Sequence, residues 1–384
     1  MCDKETVRTY DIILYGATSY TSRYIIPHFL NENINIALSS RDASKIESFG
    51  LPTINCEIND IDKITKNTRI LLNCVGPYVL TGEKIIQSCI KNKTHYIDIS
   101  GEGTFVKSMR EKYDEEARKE KVYIVNCCGF DSVPADIGVE YLKDQFDGDV
   151  KIESTLILTN PVCNKATWVS LIYSLSNYVK PTSTSSSIKT SDYKREYVWE
   201  DTIKAYRAIF RGIDHAVVKR TQELFEKCQG QKAVYNAYVR IGNALSLFLY
   251  LFYLILIRLL SKFSVGRFLL FKFYKIFSFG IVADNPPKES LGGSQFKMWF
   301  TGESTNDNVA ENKEMIISGP DPAFTTTGIC ASQCAISLYE ILGETERAIH
   351  LKKISGGAVT PGFIFKNSNL MNRLRAKGIK IELL

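Results

Sequence analysis

The sequence predicts an α/β protein: a Rossmann-type, doubly wound parallel sheet followed by an α+β second domain. Three observations predict it. From Tyr10 to about residue 135, short apolar runs alternate with helical stretches of about ten to fifteen residues, the pattern of right-handed βαβ units. The first run, DIILYG, feeds directly into a glycine turn. After Asp136 the alternation gives way to runs of period two separated by polar loops.

Taken in order, DIILYG is followed by a helical stretch over 20–31, by INIALSS ending at Arg41, and by a further helix-like segment. TRILLNCVG, a helix from Gly82 to Asn92, HYIDIS, a charged helix from Thr104 to Glu120 and KVYIVNCCG complete the pattern, so residues 1–135 are assigned to a dinucleotide-binding domain. In the second domain, 136–364, KIESTLILTN alternates as a half-exposed strand, PTSTSSS at 181–187 is a loop, and QFKMWFTGES and KEMIISGP are strands. Residues 365–384 hold a helix from Asn367 to Lys377 followed by IKIELL, and are expected to return to the first domain.

At 384 residues and 45% hydrophobic content, the chain can build a sizeable core in each domain. The net charge of +6 arises from 48 basic and 42 acidic residues, a balance that does not call for nucleic acid as a partner. None of the ten cysteines falls in a Cys-x-x-Cys pair or beside a histidine at metal-ligand spacing, which argues against a metal site. The first ten residues, MCDKETVRTY, lack an apolar signal core, so a cytosolic, reducing environment is expected. Cys127, Cys128, Cys330 and Cys334 then read as small buried fillers.

One segment stands apart. Ala244–Ile257 is fourteen residues without a charge, shorter than the roughly twenty that a bilayer span needs. Onward to Gly280, Arg258, Lys262, Arg267, Lys272 and Lys275 are interleaved with large apolar residues, and no acid occurs over 241–280. That composition suits a segment lying on a membrane or lipid-droplet surface. The competing reading is a buried core helix followed by a basic amphipathic one.

The chemistry-bearing residues gather at strand ends. In the turn Gly16-Ala-Thr-Ser-Tyr-Thr-Ser22, Gly16 keeps the first glycine of a dinucleotide turn, while Ser19 and Ser22 stand where two more glycines are usual. Ser19 is expected to cost about 1 kcal/mol if its position needs a positive φ. Arg41, at the end of the second strand, offers a guanidinium where NAD-dependent sites place an acid, which favours the 2′-phosphate of NADP(H). The loop Asn73-Cys74-Val75-Gly76-Pro77-Tyr78 lies at the same sheet edge, as do Asp98-Ile-Ser-Gly-Glu102 and Gly129-Phe-Asp-Ser-Val-Pro-Ala-Asp136. Asp98, Glu102, Asp131, Ser132 and Asp136 equally read as helix caps.

GATSYTS, LLNCVGPYVLTGE, YIDISGE, NCCGFDSVPADIGV, KATWVSLIYS and GGAVTPGFIF, in this order over nearly the whole chain, resemble the saccharopine dehydrogenase-like oxidoreductase family and its relatives, the bacterial trans-acting enoyl reductases. The resemblance implies a Rossmann domain for NADP(H), a second domain closing over a cleft, and, in animal members, association with lipid droplets or membranes. Relative to the family pattern, Ser19, Ser22, Ser40 and Ala166 replace glycines.

The residues expected at the cofactor are Gly16, Thr18, Ser19, Tyr20, Ser22, Arg41, Asn73, Val75, Gly76 and Pro77; those expected to serve the chemistry are Asp131, Ser132 and Tyr78. The function expected is NADP(H)-dependent reduction of a hydrophobic or lipid-like substrate at the cytosolic face of a membrane or lipid droplet, with a homodimer as a candidate assembly. Saccharopine chemistry itself is not expected, because the matching motifs hold no cationic cluster for a dicarboxylic amino acid. The alternative is a member with reduced or lost catalysis that coats a lipid surface and senses nucleotide.

Overall fold

The computed structural model describes residues 8–130, 132–176, 196–228, 230–305, 311–344 and 349–384. The loop expected at 181–187 and the candidate Asp131 lie outside the described residues. The apolar runs of the first third form β1 (Tyr10–Tyr15), β2 (Ile36–Ser40), β3 (Thr53–Asn55), β4 (Thr68–Asn73), β5 (His95–Asp98) and β6 (Tyr123–Val125). A second sheet takes β7 (Val150–Thr159), β8 (Tyr197–Glu200), β9 (Ala205–Ile209), β10 (Ala233–Gly242), β11 (Gln295–Ser304) and β12 (Asn312–Pro320). The chain then re-enters the first sheet with β13 (Gly357–Val359) and finishes in the second with β14 (Lys380–Leu383).

The first sheet is parallel throughout, in the order β3-β2-β1-β4-β5-β6-β13. Its strand order reverses between β1 and β4, and the carboxyl ends of those two strands border the crevice in which such sheets hold ligands. The second sheet is mixed, in the order β14-β12-β11-β7-β10-β9-β8. Alternation along β1 sorts its side chains: Ile12 and Leu14 enter one core, and Ile13 and Tyr15 the other. The Ile13 face is covered by the helices Tyr78–Lys91 and Gly103–Lys119. The Ile12 face shares a continuous core with the second sheet, through Phe296, Phe300 and Ile317.

Several expectations need correction. The helical stretch over 20–31 is one α-turn, Ser22–Ile25, followed by a 3-10 turn, Ile26–His28. Pro27 has no N–H with which to extend the helix. The helix-like segment after Arg41 is two 3-10 turns, after which β3 was missed because three residues show no period. Strands β8 to β10 and the helix Asp214–Lys227 were missed as well.

The domains are not consecutive blocks of chain. The helix Thr327–Gly343, buried on nearly every side, packs beneath β1 and β4, so the chain returns to the first domain well before residue 365. The tail does the opposite: β14 pairs with β12, setting Ile381 opposite Ile317. Arg373, on the helix Leu370–Ala376, reaches both Glu340 and Glu32, the latter between β1 and β2. The buried-core reading of the apolar segment also fails. Along the helix Ala244–Lys262 only Ile257 and Ser261 are buried.

Two of the quoted motifs meet beneath the sheets. Asp136 is fully buried; its Oδ1 accepts from Thr221 Oγ1 at 2.6 Å and its Oδ2 from the Gly362 N–H at 2.5 Å. Burial pushes its carboxyl up to about 7. A Cβ on Gly362 would lie 2.6 Å from the Asp136 carboxyl carbon, so glycine there is what lets the backbone reach the acid. Gly362→Ala is therefore expected to destabilise the fold by about 1–3 kcal/mol in urea titration; an unchanged midpoint would show that this contact is slack.

Candidate cofactor site

The turn after β1 is built around Gly16. Its φ is +85°, and a Cβ there would lie 2.7 Å from Val75 Cγ2 and 3.0 Å from the Cys74 carbonyl carbon. Glycine is thus required both by conformation and by the close approach of the β4 loop. The Gly16 and Ala17 N–H groups donate to Ser39 O at 2.9 and 3.0 Å, fastening the turn to the end of β2.

The strain expected at Ser19 does not arise, because Ser19 is not in the left-handed region. The two serines instead form a short ladder. Ser22 Oγ donates to Gly16 O at 3.0 Å, Ser19 Oγ lies 2.8 Å from Ser22 Oγ, and the Ser22 N–H donates to Ser19 Oγ at 3.2 Å. With Ser22 donating to Gly16, Ser19 is left to donate to Ser22, so neither hydroxyl proton is directed at a phosphate. The N–H groups of Thr18, Tyr20 and Thr21 have no partner among the described residues and remain available for an anion. Tyr20 turns its hydroxyl to Tyr24 at 2.9 Å and to Pro286 O, and its ring stands edge-on to Phe324.

Arg41 is exposed and has no hydrogen-bond or ion-pair partner among the described residues. Its neighbour Asp42 is paired to Lys45 at 3.0 Å. The glycine seat, the open N–H groups and the uncompensated guanidinium together fit a dinucleotide carrying a 2′-phosphate.

The ends of β4, β5 and β6 are tied by a buried polar chain that sequence reasoning did not assemble. Asn73 donates through Nδ2 to Tyr96 Oη at 3.0 Å and accepts through Oδ1 from the Val75 N–H at 2.9 Å. Tyr96 donates to Asp98 Oδ2 at 2.9 Å, and Asn126 Nδ2 donates to the same oxygen at 2.7 Å. Asp98 Oδ1 takes the N–H groups of Ser100 and Cys127, each at 3.0 Å. Burial still pushes the Asp98 carboxyl up to about 6. Cys127 is left-handed at φ +65°, a conformation that costs roughly 1–2 kcal/mol, and the bond to Asp98 holds it there.

Tyr78 is buried, and its hydroxyl donates to Asn73 O at 3.2 Å. Burial pushes its phenol well above the ordinary range, which makes it a poor acid. Glu102 accepts from the Tyr78 and Val79 N–H groups at 3.0 and 2.9 Å. It therefore caps the helix Tyr78–Lys91, not the helix that it precedes in sequence. Asn73 and Tyr78 thus shape the loop whose outer residues are Val75, Gly76 and Pro77. Ser132 is fully buried at the start of the helix Val133–Lys143, and its Oγ has no hydrogen-bond partner among the described residues. Polar residues ending three successive strands were the available signal for the Asp98 chain; which of them touch was not.

Residues 12–125 match the family described as the saccharopine dehydrogenase NADP binding domain. Over nearly its whole length the chain is similar to the saccharopine dehydrogenase-like oxidoreductase of Rattus norvegicus, at 30% identity over 429 residues and 98% of each chain. The chain belongs to the saccharopine dehydrogenase-like oxidoreductases. The lipid droplet localized protein of Caenorhabditis elegans is 24% identical over 424 residues, covering 97% of this chain and 98% of that one. Among solved structures, apo saccharopine dehydrogenase (L-Glu forming) from Saccharomyces cerevisiae superposes with a TM-score of 0.55 at 13% identity, covering 98% of this chain and all of that one, which establishes likeness of fold.

The cofactor of this saccharopine dehydrogenase-like oxidoreductase is NADP(H), in keeping with the matched domain and with Arg41. Loss of a charge-assisted contact costs about 1.5–3 kcal/mol. Arg41→Ala is accordingly expected to raise the Kd for NADPH about tenfold or more, read by nicotinamide fluorescence, and to leave NADH binding nearly unchanged. Equal loss for both cofactors would place Arg41 away from the 2′-phosphate.

Proposed function

We propose that this protein is an NADP(H)-dependent reductase of a hydrophobic or lipid-like substrate, working at the cytosolic surface of a membrane or lipid droplet. The observation that carries the reading is the outward face of the helix Ala244–Lys262. Leu245, Phe248, Leu249, Phe252, Ile255, Leu256 and Leu259 form one stripe at helical spacing, and Phe248 and Phe252 are 65% and 61% exposed. Ile276 and Phe279, at 71% and 79%, extend the apolar surface beyond the helix Ser264–Lys272. A patch of this kind is rare on a soluble monomer unless something covers it.

Arg258, Lys262, Lys272 and Lys275 are exposed among these residues, as headgroup contact requires. The helix is long and apolar enough to cross a membrane. Its buried residue Ile257 packs with Trp168 and Ile172 of the body, which favours lying in the interface over spanning. A lipid-droplet localized relative that matches over 97% of this chain is consistent with this reading.

NADP(H), when bound, supplies or accepts the hydride. The chain's own residues hold the phosphates on the open N–H groups after Gly16, set the loop at Val75–Pro77 through Asn73 and Tyr78, and place the Ser132 hydroxyl, unpartnered among the described residues, at the start of the helix Val133–Lys143. Ser132 and Asp131 stay the candidates for handling the proton, whereas Tyr78 is committed to Asn73. The reading of a member with lost catalysis rested on the substituted glycines, and Ser19 and Ser22 are accommodated without left-handed strain.

Replacing Phe248, Phe252 and Leu259 by serine removes three large apolar side chains, each worth about 1.5–3 kcal/mol when withdrawn from water. Flotation with phosphatidylcholine/phosphatidylserine vesicles is expected to fall about tenfold or more in partition coefficient, with NADPH affinity measured without vesicles retained. Undiminished flotation would remove the surface from consideration.

A further inference from the structure

The lipid-facing helices do not stand free of the cofactor loops. The helix Lys165–Leu175 lies between them and has two working faces. On one, Trp168 and Ile172 are buried with Ile257, Leu270 and Tyr274, and Trp168 Nε1 donates to Leu270 O at 3.0 Å. Ser170 is offset from Trp168 by about 200° around the helix, and its Oγ donates to Glu102 Oε1 at 3.0 Å. Glu102 is the carboxylate that holds the Tyr78 and Val79 N–H groups, so it positions the loop on the nicotinamide side.

A second contact runs in parallel. Tyr20, in the phosphate turn, donates to Pro286 O just beyond the lipid-facing segment. That stretch is fastened back by Tyr274 Oη to Asp284 at 2.7 Å and by the pairing of Val282–Ala283 with Cys163–Asn164 at the foot of the bridging helix. Both cofactor loops are thus touched by the same small helical unit whose outer face is apolar.

We propose that docking on lipid and binding of NADP(H) are energetically coupled through this unit, with Glu102 as the positioning residue and Ser170 as the contact that reports docking to it. The proposal rests on the lipid-surface reading above. Packing of Trp168 and Ile172 fixes the bridging helix to the lipid-facing pair, so a shift of that pair on docking moves Ser170 against Glu102. Glu102 is only 7% exposed, and a buried carboxylate that gains or loses a donor responds strongly. Coupling between two sites is reciprocal: lipid changes NADP(H) affinity by the same factor as NADP(H) changes lipid affinity.

The test titrates NADPH into the full-length protein by nicotinamide fluorescence, with and without phosphatidylcholine/phosphatidylserine vesicles, and measures flotation with and without NADPH. Wild type is expected to bind NADPH about fivefold or more tightly on vesicles, with the same factor in flotation. Without NADPH, Ser170→Ala is expected to float as wild type does, but its NADPH shift falls to about twofold or less, and Ser170→Thr is expected to restore it. A full shift in Ser170→Ala, or flotation of wild type without any shift, overturns the coupling and leaves the lipid surface standing. Failure of wild type to float overturns both.

Discussion

The close approach of the first glycine turn to the loop after β4 sets the geometry on which the rest of the site depends. Gly16 must be left-handed and must lack a side chain, because Val75 and Cys74 occupy the space that a Cβ would take. That contact brings the turn expected to hold phosphate beside the loop expected to border the nicotinamide. The Asn73–Tyr96–Asp98–Asn126 chain then fixes the depth of that loop, and Glu102 fixes the helix that leaves it. A dinucleotide meets a surface already organised by buried hydrogen bonds, so little ordering is left for binding to impose.

Placed in this frame, the substituted glycines acquire a different meaning. A glycine at position 19 or 22 leaves a turn held by backbone geometry alone, whereas the serines tie it through Gly16 O. The helix that follows is only one α-turn before Pro27 diverts it, so a helix dipole contributes little to anion binding here. The open N–H groups of the turn are the donors proposed for that task instead.

Much of the first domain was legible because its strands are apolar runs bounded by turns, and Gly16 and Arg41 could be placed from strand register alone. Pro27 is visible in the sequence, and its missing N–H ends a helical pattern that the residues around it would otherwise continue. The return of Thr327–Gly343 and β13 to the first domain was not legible, since nothing in a helix buried on nearly every side names the sheet it packs under. Whether Ser19 costs strain depends on a φ that the sequence does not state. Glu102 was read as a cap on the helix it precedes; it caps a helix that begins 24 residues earlier, a relation made only by the fold. The apolar segment was legible in composition, and its exposure removes the buried-core reading that composition leaves open.

In the proposed site, LYGATSYTS is a working phosphate turn in which serines take the place of glycines. Comparing NADPH affinity in wild type and in a Ser19→Gly/Ser22→Gly variant tests it most directly. Wild type is expected to bind NADPH, and the glycine variant to bind it no more tightly. Absence of binding in wild type, with binding gained by the glycine variant, would contradict it.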